Sequence, residues 1–328
     1  MKPTVSSRLL DVRLVAVRYQ ADDIRSFELA DPDGRQLPAF EAGSHVDLHL
    51  PGGLVRQYSL CNDPSERHRY VIAVLREQAG RGGSRHIFQH VDAGDLLRIS
   101  QPRNNFPLAT EGKKHVLLAG GIGVTPMMAM VSELRRRSAD FVLHYCTRSP
   151  ERTAFRHELA PLVASGQVRF HHDGGDPAKG LDLAALLRER QPGTHVYYCG
   201  PPGFMSAARI ACDHWPRELV HLEHFTSATD GSLSPAEGTG ADEEFQVQVK
   251  STGAVYDVPR DKSITTVLRE HGIDVETSCE SGLCGTCRTR YLAGEPEHRD
   301  LVLDDAEKGE YVLICCARSK TPLLVLDI

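Results

Sequence analysis

The sequence predicts three successive folded modules: an antiparallel β-barrel or sandwich, a parallel α/β domain, and a small β-rich domain that holds most of the cysteines. Residues 8–108 consist of short alternating segments separated by Gly, Pro and Asp, which is typical of antiparallel strands. From His115 to about residue 200, apolar strand-like runs alternate with helix-like runs, which indicates a parallel sheet. Five of the nine cysteines lie in the last 50 residues.

The length of 328 residues exceeds what one hydrophobic core ordinarily supports, so we expect more than one domain. The stretch Thr226–Glu244 contains Leu233 as its one large apolar residue and predicts a flexible linker. We therefore expect domains at residues 1–110, 111–228 and 242–328, with a linker at residues 229–241.

Composition and charge exclude several classes of protein. The net charge of −6 argues against general nucleic-acid binding. No run approaches about 20 apolar residues, and the N-terminal segment lacks the apolar core of a signal peptide, so we expect a cytoplasmic protein with no membrane partner. Residues 242–328 contain 17 acidic and 10 basic residues. This acidic end is either a solvated surface or a docking face for a protein partner.

The cysteine spacing near the C-terminus predicts an iron–sulfur cluster. Cys279, Cys284 and Cys287 form a C-x4-C-x2-C motif, and Cys315 follows after 27 further residues. A 2Fe-2S cluster needs four thiolates around two irons, and this is the plant-type ferredoxin spacing. The two glycines inside the motif allow its backbone to approach the inorganic sulfides.

Two alternatives use the same cysteines. A zinc site favours paired C-x2-C units or histidines at ligand spacing, whereas here one C-x2-C unit is followed 11 positions after Cys287 by His298 alone. A reactive dithiol of Cys284 and Cys287 would leave Cys279 and Cys315 without a role. Both alternatives therefore explain fewer of the cysteines than the cluster does.

Spacing alone leaves the fourth cluster ligand ambiguous, because Cys316 follows Cys315 directly. The segment EKGEYVLICCARS resembles the ferredoxin segment in which a Tyr-Val-Leu-Thr-like run precedes the ligand, and this alignment selects Cys315. We expect a strand at this point, where neighbouring side chains project to opposite faces and both cannot be ligands. Cys316 is then expected to be a buried structural thiol.

Two glycine-containing junctions predict a nucleotide site. In KHVLLAGGIGVTPMMAM, Gly120, Gly121 and Gly123 lie where a strand leads into a helix, so the backbone and the helix N-terminus can approach a pyrophosphate. The motif departs from the G-x-G-x-x-G fingerprint. In YYCGPPGFM, Cys199 ends a strand and Gly200 opens the next turn. Both turns belong to the carboxyl edge of the sheet, where ligands bind in such folds.

These segments resemble a known family. LLAGGIGVTPM and HVYYCGPPGFM are similar to the pyridine-nucleotide lobe of the ferredoxin reductase superfamily, and residues 56–59, Arg-Gln-Tyr-Ser, resemble its flavin-binding Arg-x-Tyr-Ser motif. With the cysteine-rich module last, residues 8–328 resemble phthalate dioxygenase reductase and the vanillate O-demethylase reductases. The resemblance implies an antiparallel flavin-binding β-barrel, an α/β nucleotide-binding domain and a β-grasp 2Fe-2S ferredoxin domain.

The resemblance also implies the cofactors and the roles of individual residues. The flavin would be FMN rather than FAD, with Arg56 at its phosphate, Tyr58 on its ring and Ser59 near N5. Cys199 would lie near the nicotinamide, which makes Ser59 and Cys199 the expected catalytic residues. Gln57 stands where Thr is frequent in the motif. The full set of expected cofactor-binding residues is Arg56, Gln57, Tyr58, Ser59, Gly82, Gly83, Ser84, Gly120, Gly121, Gly123, Thr125, Pro126, Arg148, Cys199, Gly200, Pro201 and Phe225, and the expected cluster ligands are Cys279, Cys284, Cys287 and Cys315.

The implied function is the transfer of electrons from NADH through FMN and a 2Fe-2S cluster to a Rieske-type terminal oxygenase, by a monomer. FMN accepts two electrons as hydride and passes them on singly to the cluster. Two alternatives stay open: a cytochrome P450 as electron acceptor, and a flavin and iron–sulfur redox sensor with slow turnover. NADPH would need positive charge at the adenosine ribose, where Arg148 is the one cation of the segment Cys146–Ser149. One arginine can stack on adenine as readily as pair with phosphate, so the charge does not decide between the nucleotides, and NADH is what the resemblance implies.

Overall fold

The computed structural model describes residues 9–51, 54–78, 82–225, 243–275, 277, 282, 285–300, 303 and 305–328. The chain divides into two compact units, Met1–Ser227 and Ala228–Ile328. Within the described ranges, no helix is both long enough and apolar enough to cross a membrane.

The first unit begins with an antiparallel barrel. Its elements are β1 (Leu10–Ala21), β2 (Ile24–Ala30), β3 (Ser44–His49), β4 (Val55–Ser59), β5 (Tyr70–Leu75), α1 (Gly83–His90), β6 (Leu96–Ile99) and β7 (Arg103–Asn104). The strands follow the order β4-β3-β6-β1-β2-β5, and β7 pairs with β3. An antiparallel bridge between Leu60 and Ile72 joins the two outer strands of this order and closes the barrel. Closure removes the unpaired edges that an open sheet would expose.

The alternation of side chains explains why these segments form strands. Along β1, Val12 and Leu14 are buried while Asp11 and Arg13 are exposed. A period of two places every second side chain in the barrel core. Because the bridge between Leu60 and Ile72 closes the sheet, the predicted antiparallel module has the barrel form rather than the sandwich form.

The second sheet of the first unit is parallel throughout. Its elements are β8 (Lys114–Gly120), α2 (Val124–Arg136), β9 (Phe141–Thr147), α3 (Arg156–Ala164), β10 (Val168–His172), α4 (Leu183–Leu187), β11 (Thr194–Gly200), α5 (Pro202–Ala211) and β12 (Val220–His224). The strand order is β10-β9-β8-β11-β12. The chain runs outward from β8 to β10 and then returns to the other side of β8, so the topological switch point lies between β8 and β11. Ligands bind at the carboxyl ends of strands at such a point.

The second unit is a mixed sheet with one helix. Its elements are β13 (Phe245–Val249), β14 (Val255–Val258), α6 (Ile264–Glu270), β15 (Arg288–Ala293), β16 (Pro296–Glu297), β17 (Tyr311–Leu313), β18 (Arg318–Ser319) and β19 (Leu323–Leu326). The order is β14-β13-β19-β15-β17, with β13 and β19 parallel and the other neighbours antiparallel. The hydroxyl of Ser263 caps α6 by accepting a hydrogen bond from the Thr266 amide. Ile264, Val267 and Leu268 pack into the core, as expected for a β-grasp domain.

The expectation of a strand at Cys315 and Cys316 is wrong. The strand β17 ends at Leu313, and its carbonyl then accepts hydrogen bonds from the amides of Cys316 and Ala317, which closes a turn. In a turn, neighbouring side chains need not point to opposite faces, so alternation does not separate the two thiols. Cys316 is half-buried rather than buried, whereas Cys315 is 6 % exposed.

The barrel generates a prediction at Gly43, which has a φ of +92° and packs against β7 and the residues that follow it. An added Cβ would lie 1.9 Å from the carbonyl oxygen of Phe106. Gly43→Ala therefore adds a backbone collision to the strain of a positive φ, and we expect it to lower the free energy of unfolding by roughly 2–5 kcal/mol. Urea denaturation of the purified variants measures this loss.

Gly34 provides the matched control, because its φ is +74° but an added Cβ meets no atom within 4 Å. Gly34→Ala is expected to cost about 1 kcal/mol, from backbone strain alone. If both variants lost the same free energy of unfolding, the contact with Phe106 would not contribute to the cost of Gly43→Ala.

Candidate functional site

The Arg-x-Tyr-Ser segment forms strand β4, and its first side chain lies over the start of α1. A Cβ added to Gly83, the first residue of α1, would lie 2.7 Å from Nε of Arg56. The helix is preceded by Gly82, whose φ of +82° places it in the left-handed region and whose own Cβ position is open. A helix N-terminus beside a guanidinium group offers backbone N–H donors and a positive charge together. This combination suits a phosphate group.

The other predicted flavin residues lie on β4, near the start of α1 and directly after β12. Tyr58 and Phe225 are both half-buried and both pack against the core of the first unit. Burial raises the pKa of the Tyr58 phenol, so this side chain is neutral. The Ser84 hydroxyl accepts a hydrogen bond from the Glu77 amide at 3.0 Å, and its own proton is still available to a ligand. Gln57 lies opposite Asp47 of β3.

The predicted nucleotide glycines lie at the switch point and allow two strand ends to touch. A Cβ on Gly123 would lie 2.2 Å from the carbonyl oxygen of Cys199, and one on Gly200 would lie 2.9 Å from the Cα of Gly120. Gly121 has a φ of +54° and no atom within 4 Å of its Cβ position. The outer surface of this turn is thus open to a ligand, while its inner surface is closed by backbone contact. Helix α2 begins directly after the turn and has no side-chain cap.

The remaining predicted nucleotide residues either support the turn from within or lie exposed just beyond the strand ends. The Thr125 hydroxyl donates to the carbonyl of Ile122, so it stabilises the turn instead of facing a ligand, and Pro126 is buried in α2. Pro201 is exposed and precedes α5. Arg148 is exposed just beyond the end of β9, and its carbonyl accepts a hydrogen bond from the amide of Gly174.

Both predicted catalytic residues converge on a third residue, Glu223. Strand β12 pairs Glu223 with Cys199 of β11, and the Ser59 hydroxyl of β4 donates a hydrogen bond to Oε2 of Glu223 at 3.3 Å. The Cys199 side chain is 0 % exposed, and burial raises the pKa of its thiol well above the usual value. Burial also raises the pKa of the Glu223 carboxyl to about 8, although the bond from Ser59 opposes this. A neutral thiol, a protonated carboxyl and a hydroxyl therefore meet where the two sheets adjoin.

Sequence reasoning missed Glu223 and its neighbour His45. Nδ1 of His45 lies 4.0 Å from Oε1 of Glu223, and the histidine is fully buried on β3. Two signals existed: an acidic residue inside the strand-like segment VHLEHF, and alternating His and Asp within the otherwise apolar segment SHVDLHL. Both patterns mark polar residues on one face of a strand.

In the second unit, Cys287 and Cys315 are the two predicted cluster ligands that the structure describes, while Cys279 and Cys284 lie outside the described residues. Both described cysteines are free thiols in the core. The amide of Gly282 donates a hydrogen bond to Sγ of Cys315 at 3.3 Å, and Gly282 has a φ of +72°. Free buried sulfurs with a backbone N–H donor from a glycine loop fit the thiolate ligands of an iron–sulfur cluster. The described residues alone contain no group of three or more potential metal ligands.

Fold and site together define a nicotinamide-nucleotide-dependent oxidoreductase with a flavin and a 2Fe-2S cluster. Residues 117–209 match the model of the oxidoreductase NAD-binding domain, and residues 247–320 match that of the 2Fe-2S iron-sulfur cluster binding domain.

Full-length relatives then identify the family. The chain is 52 % identical over 326 residues to the reductase subunit of tert-butanol monooxygenase / tert-amyl alcohol desaturase of Aquincola tertiaricarbonis, covering 97 % of this chain and 96 % of that protein. It is 46 % identical over 325 residues to vanillate O-demethylase oxidoreductase of Pseudomonas putida, covering 98 % and 100 %. The solved structure of phthalate dioxygenase reductase matches with a TM-score of 0.76 and 42 % identity over 98 % of each chain. The chain belongs to the family of phthalate dioxygenase reductase and vanillate O-demethylase reductase.

Membership confirms the predicted class of function. The chain is the reductase component of an oxygenase system and transfers electrons from a nicotinamide nucleotide through a flavin and a 2Fe-2S cluster to a terminal oxygenase. The predicted fold class, a flavin barrel followed by an α/β nucleotide domain and a ferredoxin domain, is also confirmed.

The contact between Gly123 and Cys199 generates a prediction. Gly123→Ala would push the turn away from the strand that carries Cys199 by a large part of an ångström. Because a displacement near 1 Å can cost about 10²-fold in rate, we expect NADH to reduce the flavin on the order of 10²-fold more slowly in this variant. Stopped-flow absorbance of the flavin measures the rate.

Gly203→Ala is the matched control, since Gly203 lies in the neighbouring helix α5 with no atom within 4 Å of its Cβ position. The control is expected to keep the parental rate. A Gly123→Ala protein that reduces its flavin as fast as the control would contradict the role of this close contact.

Proposed function

We propose that the chain binds FMN, takes hydride from NADH, and delivers single electrons to a Rieske-type terminal oxygenase in the cytoplasm, acting as a monomer. The observation that carries the proposal is the convergence of Ser59, Cys199 and Glu223 where the barrel adjoins the nucleotide sheet, together with the position of the Arg56 side chain over the N-terminus of α1. It is supported by family relatives that cover the whole chain and whose names pair them with separate oxygenases.

Arg56, Gly83 and Ser84 are the residues proposed to hold the flavin phosphate. The start of α1 supplies backbone N–H groups, and Arg56 supplies the charge. Half-buried Tyr58 and Phe225 would pack on the flavin ring, and Gln57 contributes its backbone within β4. The flavin, when bound, accepts a hydride and releases its two electrons one at a time.

The nucleotide is proposed to bind along the switch point. Gly120, Gly121 and Gly123 would admit the pyrophosphate at the open outer surface of the turn that leads into α2, and Gly200 with Pro201 lines the opposite turn. Thr125 and Pro126 support the turn from within. Cys199, buried and neutral, offers an apolar, polarizable surface to the nicotinamide.

The preference for NADH is proposed from the ends of β9 and β10. Arg148 is exposed there and offers one positive charge, while Asp173 follows β10 and places a carboxylate beside the same loop, accepting a hydrogen bond from the Gly175 amide. One cation offset by one anion does not favour the nearly two negative charges of a 2′-phosphate.

Cofactor analysis with an activity assay tests the proposal. We expect about one FMN and about two irons per chain, because one barrel site and four cysteine ligands are available. We also expect NADH, more efficiently than NADPH, to support rapid reduction of cytochrome c, and transfer to a purified Rieske-type oxygenase. High-performance chromatography of the extracted flavin and metal analysis measure the content.

Each alternative to the proposed cofactors, activity and acceptor predicts a distinct result in this experiment. Extracted FAD would contradict the choice of FMN, and zinc in place of iron would contradict the cluster. Binding of both cofactors with negligible turnover would favour the redox sensor. Transfer to a cytochrome P450 but not to Rieske-type oxygenases would favour the alternative acceptor.

The proposed cluster ligands are Cys279, Cys284, Cys287 and Cys315, and the turn at Cys315 and Cys316 allows a paired test. Sγ of Cys315 accepts the Gly282 amide and lies in the core, so Cys315→Ser is expected to lose the cluster. Flavin reduction by NADH should persist, because Met1–Ser227 is a compact unit of its own. Iron content and the electron paramagnetic resonance signal of the reduced protein measure cluster loss.

Cys316→Ser is the matched control, with the same chemical change one residue further along. It is expected to retain both irons. The reverse pattern, with iron lost from the Cys316 variant and kept in the Cys315 variant, would assign Cys316 as the ligand.

A further inference from the structure

His45 occupies the middle of a row of polar residues across three barrel strands. It lies directly opposite Ser59 of β4 on one side and directly opposite Arg103 of β7 on the other. Opposed residues of antiparallel strands project from the same face, with Cβ atoms about 4.5–5.5 Å apart. The neighbouring residue Val46 belongs to the apolar core, so His45 and Asp47 lie on the opposite face of β3.

The His45 ring is buried without a hydrogen bond. Its side chain is 0 % exposed, and neither ring nitrogen has a partner within the part of the chain that the structure describes. Buried polar atoms in native proteins are nearly always paired, so such a group calls for a specific explanation. The carboxyl of Glu223 approaches it, with Oε1 at 4.0 Å from Nδ1. A shift of about 1 Å brings these atoms to hydrogen-bond distance.

The charges around the ring decide its protonation. Arg103, on β7, forms an ion pair with Asp47 of β3, and β4 contributes the neutral hydroxyl of Ser59. Burial, together with the charge of Arg103, lowers the pKa of His45 to about 4, while Asp47 opposes this shift. Glu223, on β12, has a pKa raised to about 8 by burial. At neutral pH the imidazole therefore has a free lone pair, and the carboxyl facing it has a proton to donate.

We propose that His45 is a positioning residue for hydride transfer: its unprotonated ring nitrogen accepts the proton of the Glu223 carboxyl and holds that carboxyl, in its neutral form, against the Ser59 hydroxyl. This inference deepens the proposed function and rests on it, because that function places Ser59 at the flavin. His45 is separated from the flavin by Ser59 and acts through Glu223.

The arrangement has an electrostatic consequence. A hydride adds negative charge to its acceptor, and an ionised carboxylate at the same place would oppose that addition. A Glu223 carboxyl kept protonated removes this repulsion. Because Ser59 donates its own proton to Oε2 of Glu223, its lone pairs are left to accept a hydrogen bond from an N–H group of the cofactor. Above the pKa of Glu223, the carboxyl ionises and the advantage disappears.

The test compares pH profiles of flavin reduction by NADH, measured by stopped-flow absorbance. The parental rate is expected to fall above about pH 8, where Glu223 ionises. In His45→Gln, the side-chain amide offers the carboxyl an N–H donor as well as a C=O acceptor, so it no longer favours the protonated form, and the fall should move to lower pH by at least about one unit, a tenfold loss of proton affinity. Glu223→Gln, which has no proton to lose, should show no such fall.

His144→Gln is the matched control. His144 is also buried, with a pKa lowered to about 4 by burial, but its partner is His171 on the neighbouring strand of the nucleotide sheet. This variant is expected to keep the parental profile, which separates a specific effect on Glu223 from the loss of any buried histidine.

A second measurement does not depend on turnover. The infrared C=O stretch of a protonated carboxyl, identified by its absence in Glu223→Gln, is titrated against pH in the oxidised protein, and should disappear at lower pH in His45→Gln than in the parent. His45→Asn provides the same comparison if His45→Gln does not fold. An unchanged titration of Glu223 in a folded His45 variant overturns the inference. A protein that lacks flavin or is not reduced by NADH overturns the proposed function instead, and the infrared titration still decides the role of His45.

Discussion

The structure of the nucleotide site depends on one steric constraint: glycines at the end of β8, in the turn after it and at the end of β11 allow these segments to pack backbone against backbone. Gly123 lies against the carbonyl of Cys199, and Gly200 lies against the backbone of Gly120. Any Cβ at these positions would separate the strands at the switch point. Their contact fixes where α2 begins and where Cys199 lies relative to it, and hence where a pyrophosphate and a nicotinamide can bind at the same time.

A second set of contacts joins this sheet to the barrel within the first unit. Ser59 of β4 bonds to Glu223 of β12, so the strand that contributes the flavin motif is tied to the last strand of the nucleotide sheet. Elsewhere between the barrel and the nucleotide sheet, the amide of Asp22 donates to the carbonyl of Glu151, and the amide of Phe155 donates to the side chain of Gln20. If the barrel holds the flavin ring and the sheet holds the nicotinamide, as proposed, these bonds would set the separation between the two rings. Hydride transfer demands near-contact distances between donor and acceptor, so the reaction requires that the barrel and the nucleotide sheet be held together in this way.

The sequence predicted the fold and the local motifs because each depends on residues close together in the chain. Glycines at a strand-to-helix turn, alternation along β1 and the C-x4-C-x2-C spacing are all local patterns. The partnership of Ser59 with Glu223 was not predictable in this way, because 164 positions separate the two residues and they meet only where the barrel packs against the nucleotide sheet. The error at Cys315 and Cys316 has a related cause: the apolar run before them continues the pattern of a strand, and the turn that ends β17 is set by hydrogen bonds to Leu313.

The side chains of His45, Asp47, Arg103 and Glu223 form a polar layer beside Ser59. Their charge states are consistent with a requirement for electrical neutrality beside the proposed hydride-transfer site. Asp47 and Arg103 pair as one negative and one positive charge, and burial keeps Glu223 protonated and His45 unprotonated at neutral pH. The layer as a whole then has no net charge, although four of its members can ionise. Buried ions without partners are costly, and neutral hydrogen-bonding groups avoid that cost while still fixing orientation. A layer of apolar side chains would be equally neutral, but it would offer no acceptor to orient the Ser59 hydroxyl and no group whose charge changes with pH. The polar layer thus has no net charge while it directs the Ser59 hydroxyl, which the proposed function places at the flavin.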